Sequence, residues 1–375
     1  MMRLLTLAVG LLLGLASPAL AHKASDGFLE LSLDGSGVDG RVDLALRDVE
    51  QAIGLDSDGD HAITWAELES RGADIAAYVA ARLDLAADGE PCPIRPGALL
   101  VDYHSDGAYA VLRFAATCPA RPHRLAIGYH LLFDLDPLHR GLVQLSDGAG
   151  VHTAVLAPDA PEFRISVGER PNLLSQILSY GRQGVWHIWI GFDHILFLLS
   201  LLLPAVLRRG DGRWRAVGTF REAAVEVLKV VTAFTLAHSV TLTLATLGIV
   251  SLPSRLVESL IAASVVLAAL NNVFPLVQRR LWLVAFAFGL VHGLGFATVL
   301  AELGLPRHAL VVSLVAFNLG VELGQLAIVA LILPLIFLLR ETSLYPRLML
   351  RAGSSAIAVL GGLWLVERAF DLRLL

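Results

Sequence analysis

The run VWHIWIGFDHILFLLSLLLPAVL, residues 185–207, carries His187, Asp193 and His194 in an otherwise apolar setting. Later apolar segments add His238, His292, Asn318 and Glu322. An ionisable side chain at the centre of a bilayer costs roughly 2.5–3.5 kcal/mol on insertion scales, so such groups face a bundle interior and mark an ion path or site. Imidazole with carboxylate suits nickel, cobalt, zinc or iron(II) better than copper(I). Soft ligands are missing from these segments: the methionines are Met1, Met2 and Met349, and both cysteines lie upstream. Read as one helix, the step from His187 to His194 is about two turns and puts both on one face around Gly191. Asn318, Glu322 and Gln325, at i, i+4 and i+7, form one polar stripe. Counting along each span places His194, His238, His292 and Glu322 near the midplane, where one shared site satisfies them, with His187 nearer the outer mouth.

A second constellation is local. Asp56, Asp58, Asp60, Thr64 and Glu67 fall at positions 1, 3, 5, 9 and 12 of an EF-hand-type loop, residues 56–67, with the Ala62 carbonyl at position 7. Hard oxygens at that spacing are a calcium pattern. The departure is His61, where the sharp turn calls for glycine. Histidine tolerates the left-handed conformation better than most residues, at some cost.

These residues sit in a chain of 375 residues that is 55% hydrophobic and only 17% charged, the composition of an integral membrane protein. The formal net charge of −5 comes without long basic runs, which removes nucleic acid and polybasic lipid anchoring from the candidate partners. Residues 1–21 read as a secretory signal: Arg3, an apolar core, then Ala19-Leu20-Ala21 as a small-x-small cleavage site. A mature chain beginning at His22 would offer a free amine and an imidazole as a further metal chelate. Such a signal exports the region after it, so Cys92 and Cys118 are expected to form a disulfide.

From Phe28 to about Val167, short alternating runs such as FLELSLD, GRVDLAL and AYAVLRFAA predict an antiparallel β-sandwich-like domain over residues 22–170. The EF-hand-type loop and a helical stretch over Thr64–Ala87 interrupt it. Residues 171–184 read as a linker. Residues 185–375 then predict a bundle of six transmembrane helices, at about 185–207, 230–250, 256–277, 281–302, 309–339 and 349–370. Cations concentrate in alternate loops, among them Arg208, Arg215, Arg279, Arg280, Arg340 and Arg351. The positive-inside rule puts those loops in the cytoplasm and the amino-terminal domain outside, at a bacterial inner membrane with that domain in the periplasm.

The segments HIWIGFDHILFLLSLLL, FTLAHSVTLTLA, VESLIAASVVLAALNN, FGLVHGLGFA and FNLGVELGQ together resemble the HupE/UreJ family of hydrogenase- and urease-associated membrane proteins, over roughly residues 180–370. The exported domain is similar only to the variable extracellular part of some members. The resemblance implies a nickel or cobalt permease, with metalloenzyme maturation proteins as partners. By position it carries the family pattern to His187, Asp193, His194, His238, His292, Asn318 and Glu322. The run from His187 to His194 also resembles the second-helix signature of nickel/cobalt permeases, with one extra intervening residue.

Three functions compete for these residues. The first is a permease for nickel, cobalt or zinc whose carboxylates, Glu322 or Glu258, exchange protons. The second is an intramembrane metallohydrolase, since histidines on a metal beside a carboxylate also describe an activated water and its base. Neither H-E-x-x-H nor a serine elbow is present to support that chemistry. The third is a periplasmic metal sensor or capture protein built on His22. A transporter is the expectation, with calcium as a structural ion.

Overall fold

The computed structural model describes residues 26–104, 107–169, 173–210, 213–277, 279–295, 307–370 and 372. The signal segment and His22 lie outside them. The first part of the chain is sheet-rich. β1 (Asp26–Asp34), β2 (Gly37–Ala45), β5 (Ile94–His104), β6 (Gly107–Thr117), β8 (Arg140–Ser146) and β9 (Val151–Leu156) form one sheet in the order β5-β6-β2-β1-β8-β9. A smaller sheet takes β3 (Leu83–Ala87), β4 (Glu90–Pro91), β7 (Arg124–Tyr129) and β10 (Glu162–Ser166) in the order β10-β7-β3-β4.

Alternation decides which face each residue takes. Leu29, Leu31 and Leu33 of β1 turn inward, where they join Leu85, Ile127 and Ile165 of the smaller sheet in one core. The intervening positions Glu30 and Ser32 are exposed. The Cys92–Cys118 disulfide, as expected, ties the end of β4 to the end of β6 and so links the two sheets.

Two expectations need correction here. β1 runs parallel to β8, pairing Asp26 through Ser32 with Arg140 through Ser146, so the sandwich is not wholly antiparallel. Period-two alternation is the same for either direction and carries no information about it. The helical stretch also stops early: α2 (Trp65–Ser70) and α3 (Gly72–Ala80) give way to β3, which pairs with β7. A further helix, α1 (Leu46–Ile53), precedes the acidic loop.

The second part is helical. α4 (Leu173–Ile190) and α5 (Phe192–Leu202) form a pair bent by 71°. A 3-10 turn and the hairpin of β11 (Leu207–Gly210) and β12 (Arg213–Ala216) come next, then α6 (Phe220–Thr246), α7 (Ser254–Val273), α8 (Leu281–His292) and α9 (Arg307–Leu339). A π-helical segment, Tyr345–Gly353, runs into α10 (Ser354–Phe370). Among the described residues, four helices are long and apolar enough to cross a membrane, or five if the bent pair is one span. α8 is shorter, and residues 296–302 of the predicted fourth span lie outside the described residues. Large apolar side chains such as Leu236, Leu319, Leu323 and Leu338 remain exposed on α6 and α9, as lipid contact requires.

The segment read as a linker belongs mostly to α4, because Gly181 and Gly184 interrupt the apolar run and mask its periodicity. Those glycines serve packing. A Cβ on Gly184 or Gly320 would run into the facing backbone, so α4 and α9 cross with their main chains in contact. α6 starts about ten residues before the predicted span. Its N-cap is Thr219, whose hydroxyl accepts from the Glu222 backbone N–H.

The two parts share an apolar seam. Phe28, Tyr109 and Leu142, on the face of the larger sheet opposite its core, cluster with Tyr180 of α4, Leu242 of α6 and Leu310 and Leu314 of α9. Thr153 and Tyr180 hydrogen-bond across it at 3.1 Å.

Candidate metal centre

The site begins at a break. On one straight helix, His187 and His194 would be separated by a rise of about 10 Å. The chain instead turns at Gly191, between α4 and α5, and the two imidazole centroids lie 4.7 Å apart. The two residues share a site because the helix bends, not because they share a face of a continuous helix. A Cβ on Gly191 would stand 2.7 Å from His194 Nδ1 and 2.8 Å from the His187 carbonyl oxygen, so the corner accepts only glycine. Asp193 lies in the first turn of α5, where the exposed N–H groups of a helix favour a carboxylate. Its Oδ1 accepts from the His194 backbone N–H at 2.8 Å and sits 3.0 Å from His194 Nδ1.

α6 and α8 supply the next two rings. His238 Nδ1 lies 3.1 Å from Asn318 Oδ1, and the Asn318 amide nitrogen donates to the Leu314 carbonyl at 2.8 Å. His292 ends α8, and its Nε2 lies 2.8 Å from Ser264 Oγ, which donates to the Ile261 carbonyl at 2.6 Å. The partners fix the tautomers. A carboxylate accepts only, the Asn318 amide presents its oxygen because its nitrogen is engaged, and the Ser264 hydroxyl has spent its proton. Each imidazole therefore carries its hydrogen on the nitrogen facing Asp193, Asn318 or Ser264. The other nitrogens, His194 Nε2, His238 Nε2 and His292 Nδ1, keep bare lone pairs, and these buried atoms have no hydrogen-bond partner among the described residues.

A buried, unpaired acceptor is costly, and three together need an explanation. His187, His194 and His238 each offer a ring nitrogen within 4.8 Å of the other two. Nitrogens on one ion at about 2.0–2.1 Å stand about 3–4 Å apart, so a small adjustment converges them. His292 sits beside this group, its ring 4.9 Å from that of His194. Phe197, Phe234 and Phe317 pack against the imidazoles and keep the surroundings apolar.

The predicted residues thus separate into roles. The four histidines come together, while Asp193 and Asn318 stand behind His194 and His238 and orient them. Glu322 does not join them: its Oε1 accepts from Thr232 at 3.1 Å, about one helical turn along α9 from Asn318. Gln325 takes a similar place, accepting from Thr235 at 3.0 Å. The sequence offers Ser264 as a polar residue of its segment without a partner, and sequence reasoning passed over Arg368, whose guanidinium lies 3.8 Å from Asp193 Oδ2. A cation beside Glu367 near the end of the last apolar segment was the available signal for Arg368.

The acidic loop is built differently. It joins α1 to α2, and Asp56, Asp58 and Asp60 bring carboxylate oxygens within 4.8 Å of one another. His61 holds a φ of 65°, the left-handed turn that this position calls for. Asp56 accepts from the backbone N–H groups of Gly59 at 2.7 Å and His61 at 2.9 Å. Glu67 forms a capping box with Thr64 and also accepts from Ser57. Those backbone N–H groups, of Thr64 first and then Ser57, hold its carboxyl down to about 2.

No curated protein matches the chain. A comparison with protein families matches residues 165–368, a little over half of its length, to HupE / UreJ protein. That span contains every histidine of the cluster.

Proposed function

Because the chain belongs to the HupE/UreJ family of membrane proteins, we propose that it is a permease for a divalent transition metal, nickel or cobalt, with the histidine cluster as its transit site. One observation carries this reading: three buried imidazoles present bare nitrogens while acceptors hold their other nitrogens. Outer partners of this kind set the tautomer and orientation of metal-binding histidines. The donor set is nitrogen-rich and free of sulfur, which suits nickel, cobalt and zinc. With Asp193 kept behind His194, the ion meets mainly neutral ligands, a set weak enough to let it go again.

In this reading six spans form the bundle, the amino-terminal domain lies in the periplasm, and α4 leads from that domain down to His187. The cation is desolvated against His187, His194 and His238. Below them Thr232, Thr235, Glu322 and Gln325 continue a polar tract between α6 and α9. Hydrolysis is the weaker reading, because Asp193 is engaged with His194 and no other carboxylate among the described residues joins the three-histidine group as a base.

Cobalt(II) titration of the detergent-purified chain, followed by its visible absorption bands, tests the site. Saturable binding that His194→Ala or His238→Ala abolishes and Glu322→Gln retains is the expected outcome. Binding unchanged by both alanine variants would remove the site from the proposal.

The loop at residues 56–67 is proposed as a calcium site with a structural role. The convergence of Asp56, Asp58 and Asp60 and the left-handed His61 support it. Calorimetric titration with calcium should show binding that Asp58→Asn with Asp60→Asn eliminates.

A further inference from the structure

The last helix reaches back into the site. Arg368 lies in the final turn of α10, more than 170 residues from Asp193, yet its guanidinium stands 3.8 Å from Asp193 Oδ2. The other carboxylate oxygen, Oδ1, is the one beside His194 Nδ1. Two further contacts tie this end of α10 to α7: Arg368 donates to the Glu258 carbonyl at 3.4 Å, and Arg255 donates to the Ala369 carbonyl. The Arg368 side chain also lies alongside the Trp364 ring.

We propose that Arg368 is a positioning residue of the metal centre, acting through Asp193 on His194. A carboxylate in an apolar bundle needs a counter-charge, and a guanidinium has the fixed geometry to hold one of its oxygens. With Oδ2 directed at Arg368, Oδ1 is left to receive the His194 Nδ1 proton, and His194 Nε2 faces the cluster. The order of the relay is cation, His194, Asp193, Arg368. It makes the carboxyl-terminal helix part of the site although α10 contributes no ligand. This inference rests on the histidine cluster being a metal site.

The test is a double-mutant cycle on cobalt(II) affinity in the full purified chain, with Asp193→Asn, Arg368→Gln and the pair. Loss of an outer-shell partner costs about 10–100-fold in metal affinity. Each single variant is expected to bind at least about tenfold more weakly. The pair should bind no more weakly than Asp193→Asn alone, because Arg368 has nothing left to act on. Arg368→Lys should restore part of the affinity, and the cobalt(II) absorption bands of Arg368→Gln should shift as His194 loses its orientation. Effects that multiply in the double variant, or tighter binding by Arg368→Gln, would overturn the proposal. His194→Ala separates the two layers of the argument. If it still binds cobalt as the native chain does, the metal site itself is wrong. If it does not bind while Arg368→Gln binds normally with unchanged bands, only the role of Arg368 is wrong.

Discussion

The two candidate ion sites of this chain are built in opposite ways. The acidic loop draws its oxygens from twelve consecutive residues, satisfies them with its own backbone N–H groups and stands at the surface. The histidine site draws its rings from α4, α5, α6 and α8, with Asn318 of α9 and Ser264 of α7 behind them, and leaves buried nitrogens of His194, His238 and His292 without a hydrogen-bond partner among the described residues. A local loop can be complete before the rest of the chain folds. An assembled site exists only when helices distant in sequence have packed, so its precision depends on bends and close crossings rather than on spacing.

That contrast predicts that perturbations of one region leave the other intact. Acid should act first on the amino-terminal domain. Burial, reinforced by the Arg140 charge, holds the His139 imidazole down to about 3 from its ordinary 6.5. The unfolded chain then binds this proton near pH 6.5 and the folded domain only near 3, so stability falls as pH drops through that window. The ceiling is roughly 4–5 kcal/mol, and thermal unfolding of the domain against pH would show it. His139→Phe should flatten the profile.

Reducing the disulfide comes next. Replacing Cys92 and Cys118 by serine opens a loop with a sequence separation of 26 and should cost the amino-terminal domain about 3.5 kcal/mol in the chain-entropy description. Cobalt(II) affinity of the same variant should not change, whereas a parallel loss would mean that the two regions fold as one unit.

Gly191→Ala sharpens the comparison from the other side. Its methyl group would displace His194 Nδ1 and Asp193 Oδ1, and cobalt(II) affinity should fall by about a hundredfold while calcium titration of the loop is unaffected. The smallest effect is expected at His61, where glycine removes the left-handed strain seen at φ 65°. A gain of about 1 kcal/mol, read as slightly tighter calcium binding, is the predicted result for His61→Gly.

The same division explains what could be read from the sequence. The acidic loop with Asp56, Asp58 and Asp60 close together, the disulfide and the apolar spans are local or compositional, and each is visible without knowing the fold. The bend at Gly191 is not, since FDH continues the apolar periodicity across it and a glycine in an apolar helix is unremarkable. Counting along its span gives Glu322 the same depth as the histidines. Depth fixes only one coordinate, and the side chain turns to Thr232 on α6 instead. Arg368 and Ser264 act only through other residues, and although Ser264 lies within VESLIAASVVLAALNN, nothing in that segment says which ring it faces. The parallel β1 and β8 pairing likewise depends on a partner more than a hundred residues away.

Proteoliposome uptake of radiolabelled nickel and cobalt, by the native chain beside a His194→Ala, His238→Ala double variant, tests the central claim most directly. Saturable uptake by the native chain that the double variant loses is the predicted result. Tight metal binding without uptake, or equal uptake by both chains, would contradict the assignment of the histidine cluster as the transit site of a metal permease.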